Sequence, residues 1–405
     1  MELLTRHDTQ PGLSLEQIEE MLNRGVAQTV AYARQQSPFY RAKLAGVADV
    51  RTVGDLKSLP LTTKNDVSAF NEDFWCGPRD HYVDVSTTSG TTGLPTLYPL
   101  TQSDLERLGY NEFLCFSRVG LVPGDVVLLA VTIDKCFMAG LAYFEGLRQL
   151  GITAVRVGAG SPAMLLSMMQ RLRPTAIVSV PSFLKRVAAY AQQQGVDAAA
   201  STVRKLICIG EPVRDRAFNL TPLGAQIARA WDAKVYATYG ITELASSLCE
   251  CSAGQGGHLH PELLHVEVVD DAGRAVPDGT AGQLVATTIG VEAMPLVRFA
   301  TGDMTFITRA RCACGLYTPR IGPILGRRDQ ALKLKGTTVY PAAVQRALQG
   351  VDQIAEYVMI ATSETALSDD LEIVIAWRGD TAGAVDTILR SAPRRAQGLP
   401  RGSAG

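Results

Sequence analysis

Between residues 126 and 235 the chain repeats one pattern four times, a short apolar run followed by a longer stretch of helical spacing. The apolar runs fall at 126–132, 153–157, 176–180 and 205–209, and the helical stretches at 137–149, 162–172, 182–194 and 213–230. Runs that are apolar at nearly every position suit strands buried on both faces, and strands separated by helices pair in parallel because the helix carries the chain back to the same sheet edge. The pattern predicts a parallel α/β sheet covered by helices. Around it, residues 15–36 have the spacing of an amphipathic helix that Ser37-Pro38 stops. Residues 263–310 change character, with strands expected at 266–269, 282–287 and 304–307 and a turn at Asp270-Asp271-Ala272-Gly273. After Gly326 the chain resets to strand (331–334), helix (341–348) and a strand pair (357–360 and 371–377). The expected organisation is a large domain, 1–326, with parallel α/β sheets and a β-rich subdomain, and a small α+β domain, 327–405, whose tail from 392 offers little for a core.

Charge and cysteine content narrow the function class. With 39 basic and 40 acidic side chains the net charge is −1, leaving no long-range field to attract nucleic acid or an anionic membrane. The first residues carry no basic segment leading into an apolar run, and the strongest apolar run, 126–131, is far too short to span a bilayer. These features point to a cytoplasmic enzyme acting on a small molecule. Eight cysteines in that setting are not a disulfide framework, so their placement asks for another reason.

Four clusters carry chemistry. Ser86-Thr87-Thr88-Ser89-Gly90-Thr91-Thr92-Gly93 packs hydroxyls and glycines into eight positions. Glycines let backbone N–H groups approach an anion and the hydroxyls donate to its oxygens, which makes a phosphate cradle, with a flexible linker as the plainer reading. No lysine follows Gly93, so it is not the Walker loop. Tyr236-Ala237-Thr238-Tyr239-Gly240-Ile241-Thr242-Glu243, expected at a strand's end, offers an aromatic face and a carboxylate for magnesium. Arg298-Phe299-Ala300-Thr301-Gly302-Asp303, expected as a tight turn, offers a carboxylate for ribose hydroxyls. The last is the charged junction from Gly326-Arg327-Arg328-Asp329 to Lys335-Gly336. Taken singly, each of the last three is also an ordinary turn or surface.

In this order along the chain the four clusters jointly resemble the adenylate-forming superfamily of acyl-CoA synthetases and adenylation domains. Ser37-Pro38-Phe39-Tyr40-Arg41, Leu59-Pro60-Leu61-Thr62-Thr63-Lys64, Gly210-Glu211-Pro212 and Met294-Pro295-Leu296-Val297-Arg298 resemble its phenylacetate-CoA ligase branch, over about residues 30–350. The resemblance implies a large domain holding ATP and an acid, and a small domain that swings between half-reactions. It assigns Ser89, Gly90, Thr91, Thr92 and Gly93 to the β,γ-phosphates, Gly210, Glu211 and Pro212 to the adenine pocket, and Tyr239 and Gly240 to the base. It also gives Thr242 and Glu243 to the α-phosphate and magnesium, Asp303 and Arg327 to the ribose, and Asp329 to the hinge. The implied reaction is attack of a carboxylate on the α-phosphorus, giving an acyl-adenylate and pyrophosphate, catalysed mainly by positioning and charge neutralisation.

Cys251 and His258 bracket a Gly-rich loop, and Cys312-Ala313-Cys314 follows further on. Three thiols and one imidazole suffice for a closed structural zinc site, and related ligases carry comparable sets; Cys249 and His260 are rival ligands, and reduced buried thiols the alternative. Two features depart from the superfamily: Leu94 stands where many members carry lysine, and no lysine follows Lys335, where the family places one that stabilises adenylation. Either Lys333, Lys335 or Arg401 substitutes, or adenylation is slow, or the small domain is vestigial; the alternative function is a catalytically impaired adenylate-binding partner protein. For the acid, the helix after 126–132 and the residues before Tyr239 nominate Phe137, Gly140, Tyr143, Ala237 and Gly240, with Met138, Ala139 and Phe144 beside them. Apolar and aromatic walls suit a benzoate, hydroxybenzoate, aminobenzoate or phenylacetate, although each aromatic reads equally as core. Lys64 and Tyr40 could reach the carboxylate or phosphates. The expected acceptors are CoA, a carrier protein, or a small amine or phenol as in secondary metabolism, and a homodimer is compatible.

Overall fold

The structure is a computed structural model that describes residues 13–88, 95–334, 337–351, 353–365 and 368–379. The N-terminal segment folds as α1 (Leu15–Gln36), α2 (Pro38–Lys43) and α3 (Lys64–Ala69), followed by the hairpin β1 (Tyr82–Thr87) and β2 (Leu97–Thr101) and by α4 (Gln102–Arg118). Ser14 and Gln17 form a capping box at the start of α1, and Pro38 takes the first position of α2, where its missing N–H costs nothing.

The alternating region then forms β3 (Val126–Ala130), α5 (Met138–Gln149), β4 (Thr153–Arg156), α6 (Pro162–Leu172), β5 (Ala176–Ser179), α7 (Pro181–Gln193), β6 (Lys205–Cys208), α8 (Pro222–Trp231), β7 (Lys234–Ile241) and β8 (Ser246–Cys249). These strands make one six-stranded sheet in the order β4-β3-β5-β6-β7-β8, parallel except for the β7–β8 pair. Strand side chains alternate between two cores. Val127, Leu129, Val178 and Ile207 pack with Phe116, Tyr143 and Leu147 from α4 and α5, while Leu128, Ala130, Ile177 and Leu206 pack with Leu165, Leu184, Ile227 and Trp231 from α6, α7 and α8.

Two expected boundaries move. The helix predicted over 213–230 begins only at Pro222, because proline can open a helix but not lie inside one. Thr221 caps it through the Gly224 N–H, and the preceding residues form a loop. Of the segment 298–303, expected as a turn, residues 299–303 are instead strand, since their pairing partners lie far away in sequence, and Arg298 ahead of them takes a left-handed φ of 46°.

The β-rich part comprises β9 (Gly257–His258), β10 (Leu264–Val269), β11 (Gly282–Thr288), β12 (Phe299–Thr305), β13 (Ile307–Thr308), β14 (Arg320–Ile321) and β15 (Gly326–Arg327). It forms a four-stranded sheet, β10-β11-β12-β15, and a three-stranded one, β13-β14-β9. The α1 face with Val26, Val30 and Ala33 packs in one core with Leu264, Leu284 and Phe299 of the larger sheet. The last described elements are β16 (Leu332–Leu334), β17 (Thr337–Val339), α9 (Pro341–Leu348), β18 (Ile354–Thr365) and β19 (Ser368–Trp377). Strand β15 straddles the expected domain boundary at 326, and Arg346 of α9 donates to the Ile324 and Leu325 carbonyls. Among the described residues no helix is long and apolar enough to cross a membrane.

Candidate active site

The Tyr-Gly-x-Thr-Glu cluster does not follow its strand but forms its end. β7 runs through Tyr239 and Gly240 to Ile241, and a single 3-10 turn, Thr242–Leu244, presents Glu243. Ala245 then adopts a left-handed conformation with φ of 44°, rare for a residue bearing a Cβ, and reverses the chain into β8. Asp303 lies opposite Arg327 in the β12–β15 ladder. The Tyr239 hydroxyl donates to Asp303 Oδ2 at 2.8 Å, and Arg327 Nε lies 3.4 Å from Asp303 Oδ1. Burial, then the charge of Asp303, pushes the Tyr239 phenol well above its ordinary value, so it stays a neutral donor. Burial also raises the Glu243 carboxyl, and its own backbone N–H, Lys64 and Arg327 pull it back while Asp303 adds to the rise. Four sequence-nominated groups, Tyr239, Glu243, Asp303 and Arg327, thus share one electrostatic neighbourhood with Lys64. Tyr40 does not join them: it is fully buried, sharing a hydrogen bond of 3.2 Å with the Thr62 hydroxyl and accepting the Val297 N–H at 2.8 Å.

The phosphate-cradle residues Ser89, Gly90, Thr91, Thr92 and Gly93 lie outside the described residues, as do Leu94, Lys335, Arg401 and the side chain of Lys333. The loop's flanks are joined by the Thr88 N–H to the Thr96 carbonyl at 3.2 Å, and the Thr87 N–H reaches the Cys136 carbonyl ahead of α5. The Glu211 carboxylate is engaged by the Ser182 N–H at 2.9 Å and hydroxyl at 2.7 Å, closing the otherwise uncapped N-terminus of α7. Asp329 sits in a one-turn 3-10 helix, Arg328–Gln330, beside an Arg328–Asp271 ion pair of 2.9 Å.

A cavity of about 200 Å³ opens beside this cluster, lined by residues of α4, α5, β7, β8 and Gly210. Of the residues nominated for the acid, Phe137, Tyr143 and Gly240 are on its lining, with Met138, Ala139 and Thr242. Gly140 and Ala237 are not. A Cβ on Gly140 would sit 2.0 Å from the Thr132 carbonyl oxygen, so that glycine serves the contact between α5 and the chain leaving β3. The Ala237 N–H is taken by the Glu250 carboxylate at 3.0 Å.

The sequence reading missed the α4 side of the site. Arg107, fully buried, donates to the carbonyls of Ile289, Ala245 and Leu263 and to the Ser246 hydroxyl. Burial, opposed by Asp104 and Glu262, brings its pKa down to about 10. Asn111 exchanges hydrogen bonds with the Ser247 backbone at 2.7 and 3.1 Å, and the Ser247 hydroxyl donates to Glu112 Oε1 at 2.6 Å. One face of α4 therefore fixes residues 245–247 behind Glu243. The available signal was the helical spacing of Arg107, Asn111 and Glu112 among apolar neighbours.

The cysteine–histidine set converges. The ligand atoms of Cys251, His258, Cys312 and Cys314 lie within 4.8 Å of one another, with the first three buried. Cys251 Sγ is 3.6 Å from Cys312 Sγ, and Cys314 Sγ is 3.6 Å from His258 Nε2. Burial would raise the Cys312 thiol, but donors from Cys314 and Cys251 hold it below its usual range, while burial pushes Cys251 up to about 12. Burial, aided by Arg118 and Arg320, keeps the His258 imidazole neutral with a pKa of about 3, and Thr318 partners its Nδ1 at 2.9 Å. Three sulfurs, a neutral imidazole and an outer partner orienting that imidazole are a donor set that fits zinc. The rivals lie elsewhere: Cys249 takes the Thr238 hydroxyl at 3.3 Å, and His260 lies against Cys115 and Arg118.

The AMP-binding enzyme family matches residues 8–293 of the chain. The chain belongs to that family. Its relatives place it within the adenylate-forming superfamily as an AMP-forming ligase of the phenylacetate-CoA ligase-like branch. The phenylacetate-coenzyme A ligase of Thermus thermophilus is 31% identical over 373 residues, covering 90% of this chain and 82% of that one. The Escherichia coli enzyme of the same name is 25% identical, covering 92% and 85%. This ligase also shares its fold with a 2-hydroxyisobutyryl-CoA ligase solved in the postadenylation state, at a TM-score of 0.84 and 24% identity, covering 95% and 85% of the two chains.

Proposed function

We propose that the chain activates an aromatic carboxylic acid of the benzoate, hydroxybenzoate, aminobenzoate or phenylacetate type with ATP, releasing pyrophosphate, and passes the acyl group from the adenylate to CoA. The observation that carries the reading is the cavity beside Gly240 and Thr242, walled by Phe137, Met138, Ala139, Ala142, Tyr143 and Ile209. At about 200 Å³ it is smaller than the roughly 300–1,000 Å³ of drug-sized sites, which suits a small flat acid. CoA is favoured over a carrier protein or a small amine because both named curated relatives are coenzyme A ligases.

In this reading Asp303 accepts from the ribose hydroxyls with Arg327 beside it, Tyr239 lies along the adenine with Gly210, Glu211 and Pro212 around it, and Thr242 hydrogen-bonds the α-phosphate. One carboxylate beside phosphate oxygens is the donor set magnesium takes, and Glu243 would hold that ion, which neutralises charge on the departing pyrophosphate. Lys64 adds positive charge on the same side. The division at 326/327, with Asp329 as the hinge, belongs to the same reading. Zinc at Cys251, His258, Cys312 and Cys314 fills all four positions with protein ligands, so its part is structural.

The test is ATP–pyrophosphate exchange across aryl and aliphatic acids, followed by mass spectrometry of CoA thioesters. Exchange that requires an aryl acid and collapses in Glu243→Gln supports the proposal. Exchange with aliphatic acids alone overturns the substrate assignment, and ATP binding without exchange for any acid restores the impaired-relative reading.

A further inference from the structure

The cavity's polar lining is hydroxyl-bearing, from Thr238, Thr242, Ser246, Ser247 and Tyr143, except for one carboxyl. Glu112, only 3% exposed, lines it from α4 beside Leu108 and Tyr143. The approach is made possible by Gly146 of α5, where a Cβ would fall 2.3 Å from Glu112 Cβ, so the two helices meet at this residue. Among the described residues a single hydrogen bond reaches this carboxyl. Ser247 donates to one oxygen, but the Ser247 backbone is already held on both its N–H and C=O by Asn111. The groups that crowd it, Cys115, Cys249 and Tyr143, are all kept neutral by burial. Among the described residues Glu112 has no ion-pair partner, and burial, opposed by the Ser247 hydroxyl, raises its carboxyl. A carboxyl in such a place is costly unless a donor reaches it.

A substrate acid entering the cavity turns its carboxylate to Gly240 and Thr242, leaving its ring against α4 and α5. We propose that Glu112, held by Ser247, is a specificity-determining residue that accepts a hydrogen bond from an N–H or O–H donor on the substrate ring, so that amino- or hydroxy-substituted aryl acids are preferred over their unsubstituted parents. The inference rests on the aryl-acid reading above and narrows it. A site built around a buried hydrogen-bonding group rejects an analogue lacking the partner far more strongly than an apolar pocket rejects a change of size.

The experiment measures kcat/KM in ATP–pyrophosphate exchange for benzoate, phenylacetate and the ring-positional aminobenzoates and hydroxybenzoates, with wild type, Glu112→Gln and Glu112→Leu, each checked by thermal unfolding. The expected result is a wild-type preference on the order of 10⁴-fold for one donor-bearing acid over benzoate, falling to within a few-fold in Glu112→Leu. The aminobenzoate and hydroxybenzoate arms separate an N–H from an O–H donor. A wild-type ratio near one overturns the proposal, as does a high ratio that survives in Glu112→Leu or one that changes only through a uniform loss on all acids. Exchange with aryl acids irrespective of substituent defeats this inference alone; exchange with aliphatic acids alone defeats the aryl-acid reading too. The wild-type ratio decides even if a variant fails to fold.

Discussion

The two halves of the site are built differently. On the proposed nucleotide side, Tyr239, Gly240, Thr242 and Glu243 are nearly consecutive, and Asp303 and Arg327 are direct partners across one ladder. On the proposed acid side, the cavity takes Leu108 and Glu112 from α4, Phe137 at the cap of α5 with Met138, Ala139, Ala142 and Tyr143 from its first turns, and Ser246 and Ser247 from β8. A phosphate and a sugar need hydroxyls, glycines and carboxylates in fixed register, which a short stretch of strand and turn supplies. A variable acid needs a shaped hole, and a hole is made by elements distant in sequence. The first kind of site is dense in motif and the second nearly silent, so the residues that set chemistry and those that set substrate should respond to mutation in separable ways.

The largest effect that would break this contrast comes from Glu243. Glu243→Gln keeps the size of the side chain and removes the charge, and exchange is expected to fall by roughly 100-fold or more for every acid, with little change in melting temperature. A loss confined to some acids would show that the two halves are not separable. Next comes the cysteine–histidine cluster, which joins the loop after β8 to the 312–314 turn and to β9, outside both halves. Purified protein is expected to carry one zinc per chain by elemental analysis. Cys312→Ser should lose it and lower the melting temperature by about 5 °C or more, because removing a ligand leaves a buried set of thiols and imidazole without its centre. A metal-free protein that melts unchanged would leave reduced thiols as the better account. Third is Tyr239→Phe, which deletes the donor to Asp303 while leaving Arg327 in place. A lost bond to a charged group raises KM for ATP roughly tenfold. The ranking among acids should not move, and a changed ranking would place Tyr239 in the acid half.

What the chain disclosed before its structure was known follows the same division. The parallel sheet was legible because strands buried on both faces are apolar at successive positions, as in Val127, Leu128 and Leu129. The end of β7 and the nature of 298–303 were misjudged because both depend on pairing, β7 with β8 and β12 with β11, which local sequence does not state. Cys251, His258, Cys312 and Cys314 were legible ahead of Cys249 and His260 from their places around a Gly-rich loop and a Cys-x-Cys pair, and the structure brings the four together. The polar face of α4 was the deepest omission. Arg107, Asn111 and Glu112 have the spacing of a solvated helical face, and only their hydrogen bonds to residues 245–247 show that this face points inward.

The smallest effect concerns that same face, and it is thermodynamic. Burial, opposed by the Ser247 hydroxyl, pushes the Glu112 carboxyl from its ordinary 4.5 up to about 8. Between those two values the folded chain holds a proton there that the unfolded chain has released. Stability carried by this residue is therefore full below about pH 4.5 and declines as pH rises toward 8. The crowding thiols and phenol do not compete in this range, since burial holds Cys115 near 12 and raises Cys249 and Tyr143 as well. Glu112→Gln has no proton to lose, so melting curves from pH 5.5 to 8.5 should show the variant gaining on wild type as pH rises, by about 2 °C. A gap between the two proteins that stays constant with pH would mean that Glu112 is already ionised in the folded chain and paired with a charge on the acid side of the site. The strongest contrast between the two proposed halves, a charged nucleotide side against an uncharged acid side with one neutral carboxyl, would then be gone.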